Sequence, residues 1–310
     1  MTKWQALIIG IIQGLTEFLP ISSTAHIRIV PELLGWDDPG AAFTAVIQWG
    51  TLVAAILYFW RDIVSLTKAF LTETFSGKFC QSYEAKLAWM IVLGTLPIVV
   101  LGLTFKKYIE TSLRSLYYIS ASMVLLALAL LLAEWLVKWR ERRKYKEKGF
   151  SDLSWRDTLT VGFAQAVALI PGASRSGVTI TGGLFVGMTR ETAARYSFLL
   201  SLPAVFGAGV LELYKERHEL LASGAAAWNL VIATVVSGIV GYATIAFLLN
   251  YLKRHTTYLF VVYRVVVGGL LLALLLAGRV QPLPNSPNEE ATGTGGAPSE
   301  LTLTQTAGAR

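Results

Sequence analysis

Charged residues are scarce in this chain: Asp, Glu, Lys and Arg make up only 15% of 310 residues, against 54% hydrophobic ones. Soluble domains carry about 25% charged and about 45–50% apolar residues. The polar surface that a water-soluble fold of this length requires is missing, and a mean hydropathy of +0.54 points to an integral membrane protein with no second, soluble domain. Cysteine is nearly absent too. Cys80 stands alone, which excludes an intrachain disulfide and leaves the redox compartment open. No small-residue cleavage site follows the apolar sequence after Met1-Thr2-Lys3-Trp4, so that segment reads as retained rather than as a signal peptide.

The charge that is present is unevenly placed. There are 27 Lys+Arg and 20 Asp+Glu, a net +7. Residues 138–148 concentrate Lys138, Arg140, Arg142, Arg143, Lys144, Lys146 and Lys148 against Glu141 and Glu147. Apolar spans flank this loop on both sides, so it reads as a positive-inside signal and not as a nucleic-acid patch.

A membrane span needs about 20 predominantly apolar residues, and six stretches meet this: roughly 41–60, 86–104, 116–137, 192–213, 228–249 and 258–278. Two further apolar stretches are broken. Residues 4–34 are interrupted by Pro20-Ile21-Ser22-Ser23-Thr24 and also hold Glu17, His26 and Arg28; residues 157–188 are interrupted by Pro171-Gly172-Ala173-Ser174-Arg175-Ser176-Gly177. The pieces beside each break are too short to cross alone, which predicts two re-entrant pairs of half-helices. The expected fold is therefore an all-α integral membrane protein with six transmembrane helices and two re-entrant half-helix pairs.

The broken segments resemble each other. Gly10-x-x-Gln13 before Pro20-x-x-Ser23 parallels Gly162-x-x-Gln165 before Pro171-x-x-Ser174, and three spans follow each. Three crossings between two same-face re-entrant segments place them on opposite faces, an inverted-topology repeat of the kind that gathers broken helices at a mid-membrane site. This divides a single membrane domain, 1–280, into repeat A (about 1–137), a basic cytoplasmic loop (138–156) and repeat B (about 157–280). Loops 61–86, 138–157 and 250–257 together carry 14 Lys+Arg, while 1–4, 105–115 and 214–224 carry 6. The richer set belongs in the cytoplasm, with both termini outside. The tail 281–310, rich in Pro, Gly, Ser and Thr, has too few apolar groups to offset ordering entropy and is expected to be disordered.

Ionisable groups in apolar sequence are expensive and mark functional sites by default. Gln13 and Glu17 are four apart and share a helix face. They offer an amide oxygen and a carboxylate to a hard divalent cation, Mg²⁺ or alternatively Ca²⁺. Pro20 ends that helix, and Ser22-Ser23-Thr24 is N-cap material for the next. His26 lies three residues after Ser23 and four after Ser22, which puts a base within reach of a hydroxyl. In the second segment Ser174 or Ser176 caps a half-helix whose N-terminus favours anions, and Arg175 adds a planar fork matched to phosphate. Each feature has a plainer reading as cap, buried acid or snorkelling cation; their coincidence at one depth favours function. Arg264, Glu134 and the Arg190-Glu191 pair read as structural or snorkelling groups, and Gln48 and Thr44 as candidate cavity-lining residues.

Gln13-x-x-x-Glu17 within Gly14-Leu15-Thr16-Glu17-Phe18-Leu19-Pro20-Ile21-Ser22-Ser23-Thr24 with His26, and Pro171-Gly172-x-Ser174-Arg175-Ser176-Gly177-x-Thr179, resemble the undecaprenyl-diphosphate phosphatase family of the bacitracin-resistance type. The stretch from Met188-Thr189-Arg190-Glu191 to Leu202-Pro203 is similar to a further family segment. The resemblance implies a divalent-metal requirement and release of inorganic phosphate from the C55 isoprenyl diphosphate carrier at the outer face of a bacterial plasma membrane. It also implies recycling of that carrier for cell-wall synthesis, and bacitracin resistance. It assigns Gln13 and Glu17 to the metal, with Gln13 the weaker because many relatives carry Glu there. Ser23 and His26 become the hydrolytic pair, with Glu17 and Arg175 also catalytic. Ser174, Arg175 and Thr179 bind the diphosphate, joined by Ser22, Thr24 and Ser176 as substrate-binding candidates. The nucleophile stays open among Ser23, His26 and water. The partners expected are the isoprenyl diphosphate lipid and the bilayer, with no nucleic acid; a homo-oligomer is left open. The rival class is a secondary transporter or flippase for an isoprenyl phosphate lipid, to which inverted repeats also belong. A type 2 phosphatidic acid phosphatase is disfavoured, since Thr181 stands where that family needs a His after its Ser-Arg.

Overall fold

A computed structural model of the chain describes residues 1–282 except 106–107, 110–112, 114 and 221–223. The tail beyond Pro282, expected to be disordered, lies outside the described residues. The described residues form no strand, and apart from one short 3₁₀ turn near Asp152 and single-turn fragments they fold into eleven α-helices.

The first broken segment gives α1 (Lys3–Phe18) and α2 (Ser23–Leu34). A capping box opens α1, in which Thr2 Oγ1 accepts from the Gln5 N–H and Gln5 Oε1 from the Thr2 N–H. Pro20 disfavours helical geometry at the residue before it, and Leu19 is accordingly extended (φ −65°, ψ 139°). Gly35 ends α2 in the left-handed region, the usual helix stop. The second broken segment gives α7 (Trp155–Val167), opened by a Ser154/Asp157 capping box, and α8 (Arg175–Phe185). Between them run α3 (Gly40–Tyr58), α4 (Trp60–Phe75), α5 (Tyr83–Thr104) and α6 (Leu116–Arg142). After α8 come α9 (Arg190–Leu220), α10 (Gly224–Leu252) and α11 (Tyr258–Leu276).

Five helices (α5, α6, α9, α10 and α11) are long and apolar enough to span a membrane. A sixth span is obtained if α3 and α4, bent by 79° at Phe59, are taken as one. The protein is thus an all-helical integral membrane protein. Helix α4 corrects the sequence reading, which left 61–86 as a cytoplasmic loop. Its charges, Arg61, Asp62 and Lys68, mask an amphipathic pattern whose apolar side, Ile63, Leu66 and Phe70, packs into the core.

Polarity is distributed as lipid solvent demands. Leu103, Leu125, Ile239 and Leu276 are exposed on the outside, while Gln13, Glu134, Gln165 and Arg264 are fully buried. Helix α1 lies against α10 and α7 against α5, so closely that a Cβ on Gly10 would stand 2.6 Å from the Ala233 carbonyl oxygen and one on Gly162 2.6 Å from that of Gly94. Overpacking of this kind costs about 1–3 kcal/mol. Gly10→Ala and Gly162→Ala are each expected to lower thermal stability in detergent on that scale, and an unchanged melting temperature in both would contradict the packing.

Candidate functional site

The site is built where the two broken segments meet. Gln13 and Glu17 lie one turn apart on the buried face of α1, and Gln13 Nε2 donates to Glu17 Oε2 at 2.9 Å. Ser22 caps α2 with φ +78°, its Oγ accepting from the Ala25 N–H at 3.4 Å. This strained cap turns Ser23 back toward α1, and Ser23 Oγ donates to Glu17 Oε2 at 2.8 Å. From the second segment Ser174 caps α8 with φ +67° and accepts from the Gly177 N–H at 3.1 Å. Positive φ at non-glycine residues is costly and is retained where surroundings over-determine it; here both breaks use it in the same way. The next residue, Arg175, extends its guanidinium across to Glu17 Oε1. Glu17 therefore receives an amide, a hydroxyl and a guanidinium, a charge-assisted cluster that joins two segments 158 residues apart. Ser176 adds a tie by donating to the Leu19 carbonyl at 3.0 Å.

Not every anticipated residue joins this cluster. Ser23 and His26 are not paired. The His26 Nδ1–H donates to the Ser22 carbonyl at 2.7 Å, and because that oxygen can only accept, Nε2 is left as the acceptor of the Tyr263 hydroxyl at 2.6 Å. Thr179 is fully buried and donates to the Arg175 carbonyl at 2.7 Å, with Ser197 Oγ beside it; it stiffens the first turns of α8 rather than facing a cavity. Arg264 and Glu134 do not snorkel. Both are fully buried, Glu134 accepting from Arg190 and from Thr257. Arg190 thus pairs with Glu134, not with Glu191, which faces Lys253. Tyr263 was missed because nothing local marks it: an aromatic in an apolar span is ordinary until its hydroxyl is seen to meet His26.

A polar cavity of about 130 Å³ opens on this cluster, lined by Glu17, Ser22, Ser23, Thr24, Gln48, Ser174 and Arg175. Gln48 and Arg175 also border a cavity of about 500 Å³ between α5 and α9, walled by apolar groups such as Val99, Leu103, Val205 and Leu211. A third space of about 200 Å³ shares Thr24 and Gln48 and includes Thr44 and Arg28. Both residues suggested as cavity lining, Gln48 and Thr44, thus do line these spaces. A polar head next to an apolar trough suits an amphiphile with an anionic end.

Gln13 Oε1 is buried and has no hydrogen-bond partner, while the Nε2 of the same amide faces the Glu17 carboxylate. No group of three or more His, Cys, Asp or Glu gathers among the described residues. One carboxylate and one neutral oxygen fit a Mg²⁺-like ion that takes its remaining ligands from water and substrate phosphate.

Residues 6–270 match the family described as bacitracin resistance protein BacA. The chain is 58% identical over 281 residues to an undecaprenyl-diphosphatase of Chlorobium phaeobacteroides strain BS1, covering 91% of this chain and all of that one. It is 60% identical over 277 residues to an undecaprenyl-diphosphatase of Chloroherpeton thalassium, covering 89% and 98%. It is 58% identical over 282 residues to one of Chlorobaculum tepidum, covering 91% and 100%. With a buried Glu17–Arg175 cluster joining its two broken segments and a match running through nearly all of its helices, the chain belongs to the bacitracin resistance protein BacA family.

Proposed function

We propose that this protein hydrolyses undecaprenyl diphosphate to undecaprenyl phosphate and inorganic phosphate, regenerating a lipid carrier for cell-wall synthesis and conferring bacitracin resistance. The observation that carries the reading is the Glu17 cluster: a hydroxyl, its proton acceptor and a phosphate-matched cation share one small polar cavity at the mouth of an apolar one. Diphosphate enters the polar cavity, and the proximal isoprene units lie between α5 and α9. Arg175 and the N–H groups opening α8 hold the phosphate oxygens, where preorganised donors lower the barrier most. Ser23 Oγ attacks the terminal phosphorus as its proton passes to Glu17. The bond from that phosphorus to the bridging oxygen breaks, and undecaprenyl phosphate leaves with the electron pair. Glu17 gives that proton up to the departing undecaprenyl phosphate and is ionised again when water attacks the phosphoserine. It takes the water's proton, returns it to Ser23 Oγ as the phosphorus–serine bond breaks, and phosphate departs. His26, hydrogen-bonded to the Ser22 carbonyl, holds the strained peptide from which Ser23 projects.

A divalent cation held by Glu17 and Gln13 would neutralise charge on the diphosphate oxygens. Chelation with EDTA is therefore expected to reduce phosphate release at least about 100-fold, with Mg²⁺ restoring it; turnover that survives chelation would remove the cation from the scheme. Release should proceed in detergent with no gradient, which a transporter or flippase alone could not do.

The inverted repeat belongs to the same proposal. It is supported by the matching positive-φ serine caps at Ser22 and Ser174, and by Gly10 and Gly162 at equivalent crossings of α1 on α10 and α7 on α5. On this reading three spans follow each of the two re-entrant pairs, in a bacterial plasma membrane. The basic loop 138–156 is cytoplasmic, and the termini and the site face outward. A reporter fused after Arg279 is expected to be extracytoplasmic; cytoplasmic activity of that reporter would reverse the orientation.

A further inference from the structure

The turn that carries Arg175 is braced by a buried cation that the mechanism above leaves unused. Arg264, on α11, is 0% exposed. Its Nη2 is within hydrogen-bond distance of three backbone carbonyls: Ala173 at 3.0 Å, Gly172 at 3.3 Å and Ser122 at 3.4 Å. Ser122 Oγ takes the remaining carbonyl of the turn, Pro171, at 2.6 Å. All three carbonyls from Pro171 to Ala173 are thereby held by Arg264 and Ser122, and the Ala173 N–H closes the turn on the Ile170 carbonyl at 3.1 Å.

Carbonyls orient a guanidinium but do not neutralise it. Nε and Nη1 of Arg264 have no partner, and among the described residues no carboxylate lies within ion-pair distance of it. Buried charges are ordinarily paired, and Glu17, the acid of the neighbouring cluster, already faces Arg175. Nη1 stands 2.7 Å from where a Gly177 Cβ would be, and Ser174 Oγ stands 3.0 Å from that same point. The free edge of Arg264 is thus directed at the cap of α8, behind the phosphate-facing N–H groups. A side chain at 177 would block this approach, which accounts for glycine there.

We infer that Arg264 is a positioning residue that supplies the second positive charge of the diphosphate site, acting through the 171–174 turn, and that its counter-ion is the bound diphosphate. This rests on the phosphatase reading. It makes the resting site net positive, one carboxylate against two guanidiniums, and so selective for a multiply charged anion.

The test is the apparent Kd of inorganic pyrophosphate, in the presence of Mg²⁺, measured from its effect on the Tm of the purified protein in detergent. Losing a buried charge that faces an anion is expected to weaken pyrophosphate about 30-fold or more in Arg264→Met. Arg264→Lys, which keeps the charge with fewer carbonyl bonds, should stay within about 5-fold of wild type. Ser122→Ala removes a brace of the same turn without touching charge and should lower Tm while leaving the Kd within about 3-fold. Arg264→Met with a lowered Tm and wild-type pyrophosphate affinity would overturn the proposal in favour of a scaffold role. So would a Ser122→Ala loss of affinity as large as that of Arg264→Met, or an Arg264→Lys that folds normally and binds no better than Arg264→Met. Should Arg264→Met not fold, the Lys and Ser122 variants decide by the same criteria. Absence of any pyrophosphate effect on wild type would remove the phosphatase site itself, and the proposal with it.

Discussion

Arg175→Met is expected to lower phosphate release from undecaprenyl diphosphate by about 10³-fold or more, the scale on which a guanidinium contributes to a phosphoryl-transfer transition state. Arg175 is well placed for this, because it lines both the polar cavity and the apolar one. The same change also leaves Glu17, 8% exposed, without its cation. Breaking a buried pair from one side costs about 3–5 kcal/mol, so the variant should unfold at lower temperature as well. The double variant Glu17→Gln/Arg175→Met separates the two effects: removing both charges should restore most of the stability and none of the activity. An Arg175→Met protein that is folded and turns over within about 10-fold of wild type would defeat the assignment, since a phosphate-binding guanidinium cannot be that dispensable.

Glu17→Gln is the second change with a large expected effect. It keeps the shape of the side chain and removes the proton acceptor of Ser23, together with the charged ligand offered to a cation. General-base catalysis contributes about 10²–10⁴-fold, and the combined loss should fall at or beyond the upper end. Ser23→Ala should be comparably inactive, and Ser23→Ala/Glu17→Gln should be no worse than the poorer single variant, because residues acting as one unit are strongly non-additive. Losses that multiply in the double variant would mean that the Ser23–Glu17 hydrogen bond of 2.8 Å is not the catalytic contact. Stability should fall less than in Arg175→Met, because the guanidinium left without its partner, 20% exposed, reaches water more readily than the 6% exposed carboxylate does.

Much of this was legible in the sequence wherever the determinant is local. Low charge follows from composition and six apolar stretches from its distribution along the chain, and five of those stretches return as helices long and apolar enough to span, at nearly the same residues. Pro20 and Pro171 mark chain breaks because a proline restricts the residue before it. The Gln13–Glu17 contact is a property of helical spacing, and the hydrogen bond of 2.9 Å is what one turn of helix delivers. Glu17, His26 and Arg175 stood out because ionisable groups are costly in apolar sequence wherever the chain places them.

What only the tertiary structure decided is which of these groups meet. Ser23 and His26, three residues apart, share a helix face on paper. The strained cap at Ser22 instead sends the Ser23 hydroxyl back to Glu17, while the His26 ring is taken by Tyr263, 237 residues away. Helix α4 escaped notice because its charges break the apolar run while its core face is set by partners elsewhere. Arg264 read as either a structural or a snorkelling cation, and its burial against the carbonyls of another segment depends on α11 docking beside α6 and the 171–174 turn. Local sequence determines the cost of a polar group in an apolar segment and the face it occupies. Helix packing alone determines the rotation and depth at which that face finds its partner, and so which carboxylate serves which hydroxyl.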